Sequence, residues 1–325
     1  MRCETHAGEG CAILKVFYSD HFVLPLPEGH RFPMKKYSIL RQKVDDGGIT
    51  GPNELRSPRA VTDEEILRAH EAGYLKRIVS GTLGSKEIRR IGFPWSKRLV
   101  ERSRRASGGT LSACRAALSE GFAVNLAGGT HHAFAGRGEG FCVLNDSAIA
   151  ARALRAERIV KKVIILDTDV HQGNGTASIL RDDTYIFTFS MHGAKNYPFR
   201  KEESDLDVSL RDGADDGEFL ATLEESLERI MDLADWDLAI FLAGADPFVG
   251  DELGRLSVTK EGLAERDRMV LMGCQNRNVP VAITMAGGYA REVEDIVDIH
   301  YQTIKRAATM LRESGTTTNN ERRSP

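Results

Sequence analysis

Histidine, aspartate and tyrosine side chains, together with glycines, follow four short apolar runs of this 325-residue chain. Residues 123–127 precede Gly-Gly-Thr-His-His, and residues 163–166 precede Asp-Thr-Asp-Val-His. Residues 238–243 precede Gly-Ala-Asp-Pro, and residues 279–285 precede Ala-Gly-Gly-Tyr. Because ligands bind at the carboxyl ends of the strands in an open α/β sheet, these four runs predict one site at one sheet edge.

Two aspartates and a histidine at alternate positions predict a metal site. Asp167, Asp169 and His171 share one face if the chain is extended there. Asp169 and His171 then offer an oxygen and a nitrogen, and Asp246 from a neighbouring strand offers a third ligand. This set suits Zn²⁺ with a position left for water, and Fe²⁺ or Co²⁺ is also compatible. In the competing interpretation, Asp167 and Asp169 are only turn and N-cap residues before the next helix. That would explain the spacing of these aspartates but not the polar side chains that follow the other three apolar runs.

The adjacent pair His131 and His132 predicts acid–base chemistry at the same edge. A metal lowers the pKa of water and polarises a carbonyl, and a nearby imidazole can then act as general base and general acid. Each imidazole needs an orienting partner, for which Asp167 and Asn174 are the candidates. Tyr289 follows two glycines that let the backbone pass close to a substrate, and its hydroxyl could donate to a developing oxyanion.

Taken in order, these segments resemble the zinc-dependent histone deacetylases of the arginase/deacetylase fold, which also includes bacterial acetylpolyamine and acetoin-utilisation amidohydrolases. The resemblance runs from about residue 17 to residue 304. It rests on the segments YSDHF, LRAHEAGYL, SGGT, GGTHHAFAGRGEGFCVLND, DTDVHQGNG, FSMH, AGADP and AGGY. The SGGT, QGNG and GDELGRLSVT segments are most similar to the class IV branch and its bacterial relatives.

The resemblance implies roles for six side chains. The implied zinc ligands are Asp169, His171 and Asp246. The implied catalytic residues are His132 as general base and acid, His131 as the electrostatic partner that holds the leaving group or water, and Tyr289 as the tyrosine that stabilises the transition state.

The resemblance also implies an acyl-lysine tunnel and a structural K⁺ ion. Gly140 and Phe141 match the tunnel, with Phe141 packing on the lysine methylenes. The implied K⁺ ligands, which use side-chain and carbonyl oxygens, are Asp167, Asp169, His171, Ser190 and Met191. One position departs from class I enzymes, in which the partner of the second histidine is aspartate. Here it is Asn174, an amide without full negative charge, so we expect His132 to be less basic.

The composition is typical of a globular protein. Lys+Arg 44 against Asp+Glu 47 gives a net charge of −3, which argues against a dedicated nucleic-acid binder. No apolar run approaches the roughly 20 residues of a membrane span, and the N-terminus lacks the apolar core of a signal peptide, so a cytoplasmic location is expected. Five scattered cysteines without CxxC spacing predict neither a disulfide framework nor a cysteine metal site.

The apolar runs alternate with helical patterns over residues 109–121, 147–158, 217–234 and 260–276. Strand–helix–strand alternation predicts βαβ units and a parallel sheet. The predicted fold is α/β, a single three-layer domain with a mainly parallel sheet and helices on both faces.

The catalytic domain is predicted over residues 1–313, followed by a disordered tail over residues 314–325, which are polar and lack apolar periodicity. Near the N-terminus, residues 63–79 are predicted to form one amphipathic helix that Thr62 caps. Residues 86–105 hold eight basic against two acidic residues, a bias typical of a solvated surface.

The predicted function is zinc-dependent removal of an acyl group, acetyl or longer, from the side-chain amine of lysine in a protein or peptide. One alternative is deacetylation of polyamines or another small amide, which requires an acidic rim that residues 202–216 could supply. A second is a non-catalytic binding protein, and a third is a two-metal ureohydrolase, which needs further carboxylate ligands.

The class IV resemblance implies that medium or long acyl groups are removed at least as well as acetyl, because the human member of that branch removes fatty acyl groups. Four glycines of the expected site give weaker support. Gly128, Gly129, Gly287 and Gly288 are interpreted as leaving room for a longer acyl chain. The alternative is that these glycines only allow strands and loops to approach each other closely. The oligomeric state is not predicted.

Overall fold

The computed structural model describes residues 13–20, 23–51 and 53–321, the last seven by backbone alone. The strands are β1 (Lys15–Phe17), β2 (Leu55–Arg56), β3 (Phe122–Asn125), β4 (Val163–Asp167), β5 (Ile186–Gly193), β6 (Leu206–Leu210), β7 (Leu238–Leu242) and β8 (Val281–Thr284). They form one sheet in the order β2-β1-β3-β8-β7-β4-β5-β6, and all of these pairings are parallel. The predicted parallel α/β sheet is confirmed.

Helices cover both faces of this sheet. They are α1 (Lys36–Asp46), α2 (Asp63–Leu67), α3 (Ala72–Ser80), α4 (Ser85–Ile91), α5 (Lys97–Glu120), α6 (Asp146–Ala156), α7 (Asn174–Leu180), α8 (Asp216–Met231), α9 (Lys260–Gln275) and α10 (Val293–Glu321). Residues of α1, α8, α9 and α10 pack into one apolar core, and residues of α2 to α7 pack into a second.

Side chains of a strand point alternately to the two faces, and β4 shows why its sequence is continuously apolar. Ile164 and Leu166 enter one core, while Val163 and Ile165 enter the other. A strand buried on both faces cannot alternate apolar with polar residues. The three-layer architecture follows, with helices on each side of the sheet.

The single helix predicted over residues 63–79 is wrong, because the chain forms two short helices, α2 and α3, instead. The predicted cap is present, since the Thr62 hydroxyl accepts from the Glu65 N–H. Beyond α2, the Glu71 N–H donates to the Ala135 carbonyl and His70 Nε2 accepts from the Asn145 N–H. These tertiary hydrogen bonds replace the bonds that a continuous helix would make.

Two other helix boundaries differ from the prediction. Helix α5 begins at Lys97, well before residue 109, because Ser96 accepts from the Leu99 N–H and caps the helix there. Helix α10 continues to Glu321, so the predicted tail is helical up to that residue. Adding a residue to an existing helix costs little, since nucleation has already occurred. Residues 322–325 lie outside the described residues.

Cys114, Cys142 and Cys274 are buried and unpaired. Cys3 and Cys11 lie outside the described residues, as do the last two residues of the YSDHF segment. Among the described helices, none combines the length and the apolar character that a bilayer crossing requires.

Candidate active site

Four adjacent strands, β3, β8, β7 and β4, end in one row across the sheet. Asn125 of β3 pairs with Thr284 of β8, Thr284 with Leu242 of β7, and Leu242 with Asp167 of β4. The loops that follow these residues start side by side because the strands are parallel and in register. Side chains far apart in sequence therefore converge at one edge of the sheet.

Asp169, His171 and Asp246 are buried together at this edge and could hold a divalent metal ion. His171 Nδ1 lies 3.0 Å from Asp169 Oδ1 and 3.2 Å from Asp246 Oδ2. One potential ligand atom from each residue lies within 4.8 Å of the others. The Val170 N–H donates to Asp246 Oδ1 and the Gly287 N–H donates to Asp169 Oδ2, so both carboxylates are held by backbone. One nitrogen and two oxygens match the donors of a zinc site that keeps an open position.

The electrostatics of this cluster fit a cation. Asp246 Oδ2 is buried without a hydrogen-bond partner, since its contact with His171 Nδ1 does not meet hydrogen-bond geometry. Burial, and then the negative charge of Asp169, raise the pKa of Asp246 to about 7. Burial alone would lower the pKa of His171, but Asp169 and Asp246 outweigh it and raise that pKa to about 10. A bound divalent ion would compensate two buried carboxylates and coordinate the unpartnered oxygen.

The extended geometry predicted for residues 167–171 is wrong. Strand β4 ends at Asp167, and the chain then bends. The Asp169 N–H donates to Asp167 Oδ1, and the His171 N–H donates to Asp169 Oδ1. These local turns direct Asp169 and His171 toward Asp246, whereas the second oxygen of Asp167 faces His131.

His131 is the positively charged member of the histidine pair. Its Nδ1 lies 2.7 Å from Asp167 Oδ2, and its Nε2 lies 3.8 Å from Asp169 Oδ1. Burial opposes the charge, but Asp167 and then Asp169 outweigh it and raise the pKa of His131 to about 9. The two carboxylates therefore favour the protonated form of the ring.

His132 has the opposite environment. Its Nδ1 lies 2.7 Å from Asn174 Oδ1, and its ring centroid lies 4.2 Å from that of His131. Burial, and then the positive charges of His131 and His171, lower the pKa of His132 well below its usual range. Asn174 opposes this shift too weakly to reverse it. One protonated and one neutral imidazole side by side can supply an acid and a base.

Tyr289 stands over the Asp169, His171 and Asp246 cluster, with its ring centroid 6.3 Å from that of His171. Its backbone N–H donates to Asp251 Oδ2, and the described residues provide no hydrogen-bond partner for its hydroxyl. Burial, and then the charges of Asp169 and Asp246, raise the pKa of Tyr289 well above its usual range. The hydroxyl therefore stays protonated and free to donate.

Aromatic rings flank the approach to His132. The Tyr197 ring meets the His132 ring edge to face at a centroid distance of 4.9 Å, and the Phe141 ring lies 6.0 Å from that of Tyr289. Gly140 has a φ of +56°, and a Cβ there would come within 2.6 Å of His132 Cδ2, so this position requires glycine. The backbone of Gly140 and Phe141 is held by carbonyls of α4.

The sequence interpretation missed four side chains around the site, namely Lys36, Glu139, Tyr197 and Asp251. Lys36 is buried, and its ammonium donates to carbonyls of the Ala-Gly-Gly-Tyr segment. Glu139 and Asp251 lie in two of the segments that carry the resemblance. Their place in those segments was the sequence signal that could have identified them. No spacing pattern indicates Lys36 or Tyr197.

The glycines do not open space for an acyl chain. A Cβ on Gly287 would lie 1.9 Å from Asp246 Oδ2, and one on Gly129 would lie 2.5 Å from Ala286. At Gly128 and Gly288 the Cβ would also meet protein atoms within 3 Å. The alternative interpretation is correct, because these glycines allow loops and the carboxylates of Asp169 and Asp246 to approach the backbone closely.

The residues predicted to bind K⁺ lie on β4, β5 and the loop that holds Asp169 and His171. Asp167 pairs with Ser190 in the parallel register, and the Ser190 hydroxyl contacts His192 Nδ1 at 3.0 Å. Met191 follows Ser190 and is buried. K⁺ binding stays a prediction.

The site opens into a cavity of about 750 Å³, a volume ordinary for small-molecule sites. The exposed charged residues of its lining are Arg31, Arg90, Lys195, Arg255 and Glu252. Lys195 and Arg255 lie near Asp212, whereas Arg31 and Arg90 form no ion pair with a described carboxylate. The mouth of the cavity is therefore mainly cationic.

The acidic residues 202–216 do not line this cavity. Their carboxylates are used within the fold instead. Asp205 accepts from the Thr188 N–H and hydroxyl, and Asp207 accepts from Gln172 Nε2. The acidic rim expected for a polyamine enzyme does not come from this loop.

Comparison with known proteins gives consistent matches over most of the chain. Residues 30–304 match the histone deacetylase domain family. An uncharacterized protein of Picosynechococcus sp. is 44% identical over 285 residues, which is 88% of this chain and 95% of that protein. Histone deacetylase 2 of Arabidopsis thaliana is 28% identical over 302 residues, 88% of this chain and 78% of that protein. The fold is similar to that of an HDAC homologue from Aquifex aeolicus, with a TM-score of 0.79, 23% identity and coverage of 91% and 84%.

Proposed function

Because the chain belongs to the histone deacetylase family, whose members are amide hydrolases, we propose that it removes acyl groups from the side-chain amine of lysine in proteins or peptides. One observation carries this proposal. Two adjacent imidazoles, His132 facing Asn174 and His131 facing Asp167, lie beside a buried Asp-His-Asp cluster and a tyrosine hydroxyl that has no hydrogen-bond partner among the described residues. Among the described residues this is the one such cluster, which favours a single metal over a two-metal ureohydrolase.

Asp169, His171 and Asp246 would hold the metal, which when bound polarises the acyl carbonyl and lowers the pKa of the attacking water. His132 accepts a proton from that water while the water oxygen forms a bond to the acyl carbon. The Tyr289 hydroxyl donates to the carbonyl oxygen as negative charge develops on it. The C–N bond then breaks, and a protonated imidazole of the pair delivers a proton to the departing amine.

The cavity mouth supports an acyl-lysine substrate over an acylated polyamine. Arg31 and Arg90 stand at the mouth without carboxylate partners among the described residues, and Glu252 is the exposed acidic side chain of the lining. A polyamine is a polycation, so these guanidinium groups would repel it. The amide of an acyl-lysine side chain is neutral, and the residues that flank the lysine in a peptide can carry any charge. An acyl-lysine substrate therefore need not be repelled by these arginines.

We therefore expect an acetyl-lysine peptide with neutral flanking residues to be hydrolysed with a higher kcat/KM than acetylspermidine. Arg90→Glu should move the ratio of the two kcat/KM values toward acetylspermidine by about 2- to 5-fold, since an exposed charge pair contributes up to about 1 kcal/mol. The control is Arg229→Glu on α8, which is remote from the cavity and should leave the ratio unchanged. Faster hydrolysis of acetylspermidine by the wild type would favour the small-amine alternative.

For the acyl group, we propose that medium or long chains are accepted at least as well as acetyl. Two points support this: the resemblance to the class IV branch, whose human member removes fatty acyl groups, and the cavity volume. Apolar parts of the lining come from Phe32, Tyr37, Ala106 and Ala127. Such a lining can shelter methylenes that an acetyl group lacks.

The expected result is a kcat/KM for octanoyl- or myristoyl-lysine that equals or exceeds that for acetyl-lysine on one peptide. Each further methylene that is fully buried contributes up to about 0.8 kcal/mol, or roughly fourfold in binding. The measurement is kcat/KM for the three acyl groups at fixed peptide sequence. A steep fall from acetyl to octanoyl would restrict the enzyme to deacetylation.

A further inference from the structure

Glu139 is a buried carboxylate with no role in the steps described above. It lies in the loop after β3 and is 7% exposed. Its Oε1 lies 2.9 Å from Asn174 Nδ2 and 2.9 Å from the Tyr197 hydroxyl, and its Oε2 lies 3.2 Å from Arg137 Nε. Both oxygens accept hydrogen bonds, and neither donates one.

This carboxylate determines how the Asn174 side chain is oriented. An amide presents a donor on one side and an acceptor on the other, whereas a carboxylate only accepts. The Asn174 NH₂ group must therefore face Glu139, since the flipped amide would place Oδ1 against Oε1 without a hydrogen bond. With the NH₂ group so placed, Asn174 Oδ1 faces His132 Nδ1 at 2.7 Å.

The orientation of Asn174 in turn determines where His132 carries its proton. Oδ1 can only accept, so Nδ1 of the ring must carry hydrogen to bond to it. In the neutral ring the lone pair is then on Nε2, the nitrogen that Asn174 does not occupy. Accepting a proton from water requires this tautomer.

We infer that Glu139 is a positioning residue that, through Asn174, holds His132 in its Nδ1–H tautomer. This inference rests on the proposed function only in taking His132 as the base. The Asn174 side chain lies between the Glu139 carboxylate and the imidazole. Glu139 therefore orients the ring without forming a direct ion pair with it. Glu139 lies 35 residues before Asn174 in the chain, and their contact exists only in the folded protein.

The inference is tested with three variants of the metal-loaded enzyme. Glu139→Gln keeps the size of the side chain but can donate as well as accept, so either amide orientation of Asn174 becomes possible. The double variant Glu139→Gln/Asn174→Asp exchanges amide and carboxylate, so that His132 Nδ1 again faces a group that can only accept. Glu265→Gln, on the surface of α9 and paired with Arg268, is the matched control.

We expect Glu139→Gln to lower kcat by about 10-fold or more, with KM within about 3-fold, metal content unchanged and thermal unfolding intact. The upper bound is the roughly 10²- to 10⁴-fold contribution of a general base. The double variant should recover most of this loss, and Glu265→Gln should match the wild type.

The decisive measurement is ¹⁵N NMR of histidine-labelled enzyme, with His132 assigned from His132→Ala. We expect the Nδ1–H pattern in the wild type and the double variant, and a loss of that pattern in Glu139→Gln. An unchanged tautomer in Glu139→Gln overturns the inference, even if stability falls, and so does a double variant that stays like Glu139→Gln. If no acyl-lysine peptide is hydrolysed, the proposed function fails, while the NMR result still decides the role of Glu139.

Discussion

Asp246→Ala is expected to abolish hydrolysis and to release the metal. The substitution removes one of two carboxylates from a buried three-residue donor set and leaves one oxygen and one nitrogen, fewer than the three protein ligands of a catalytic zinc site. The loss of kcat/KM should exceed the roughly 10³-fold that follows removal of a single oxyanion donor, because the Lewis acid is lost entirely. Metal content measured by mass spectrometry should fall clearly below that of the wild type.

The control for this variant is Asp237→Ala. Asp237 stands just before the amino end of β7, the strand that Asp246 follows, and it is exposed and accepts from the N–H groups of Lys161 and Lys162. Its loss should leave metal content and turnover close to wild type. Full metal occupancy with normal turnover in Asp246→Ala would show that Asp246 is not a ligand.

Tyr289→Phe is expected to reduce kcat by about 10²- to 10³-fold while the fold and the metal are retained. The phenylalanine ring keeps the contacts with Phe32 and Phe141, so only the hydroxyl is lost. In the wild type the pKa of Tyr289 lies well above its usual range, because of burial and then the charge of Asp169, so the donor is present at every pH of interest. KM should change little, since the oxyanion forms only in the transition state.

Tyr185→Phe serves as the control, because Tyr185 is exposed beside the amino end of β5 and far from the cavity lining. Metal analysis and a thermal unfolding curve accompany the kinetics of both variants. If Tyr289→Phe hydrolyses substrate at a rate near that of the wild type, another group donates to the oxyanion.

The sequence contained enough information to predict the sheet and the place of the site. Buried parallel strands are short apolar runs, and the residues that follow them meet wherever neighbouring strands end in register. His131, His132, Asp246 and Tyr289 each follow such a run, so their convergence could be predicted without knowing the order of the strands. Helix boundaries such as the break between α2 and α3 could not, because hydrogen bonds to the Ala135 carbonyl and the Asn145 N–H determine them.

The hydrogen-bond partners and the pKa values of the converging side chains depend on contacts that form only in the folded chain. The turns after β4 separate Asp167 from the cluster of Asp169, His171 and Asp246. The contact of Glu139 with Asn174 joins a loop and the start of α7, which no local pattern connects. The opposite pKa shifts of His131 and His132 depend on burial and on distances to every neighbouring charge. Local sequence patterns encode the periodicity of strands and helices. The pKa shifts and the loop contacts of the site depend on groups that only the complete fold brings within a few ångströms of each other.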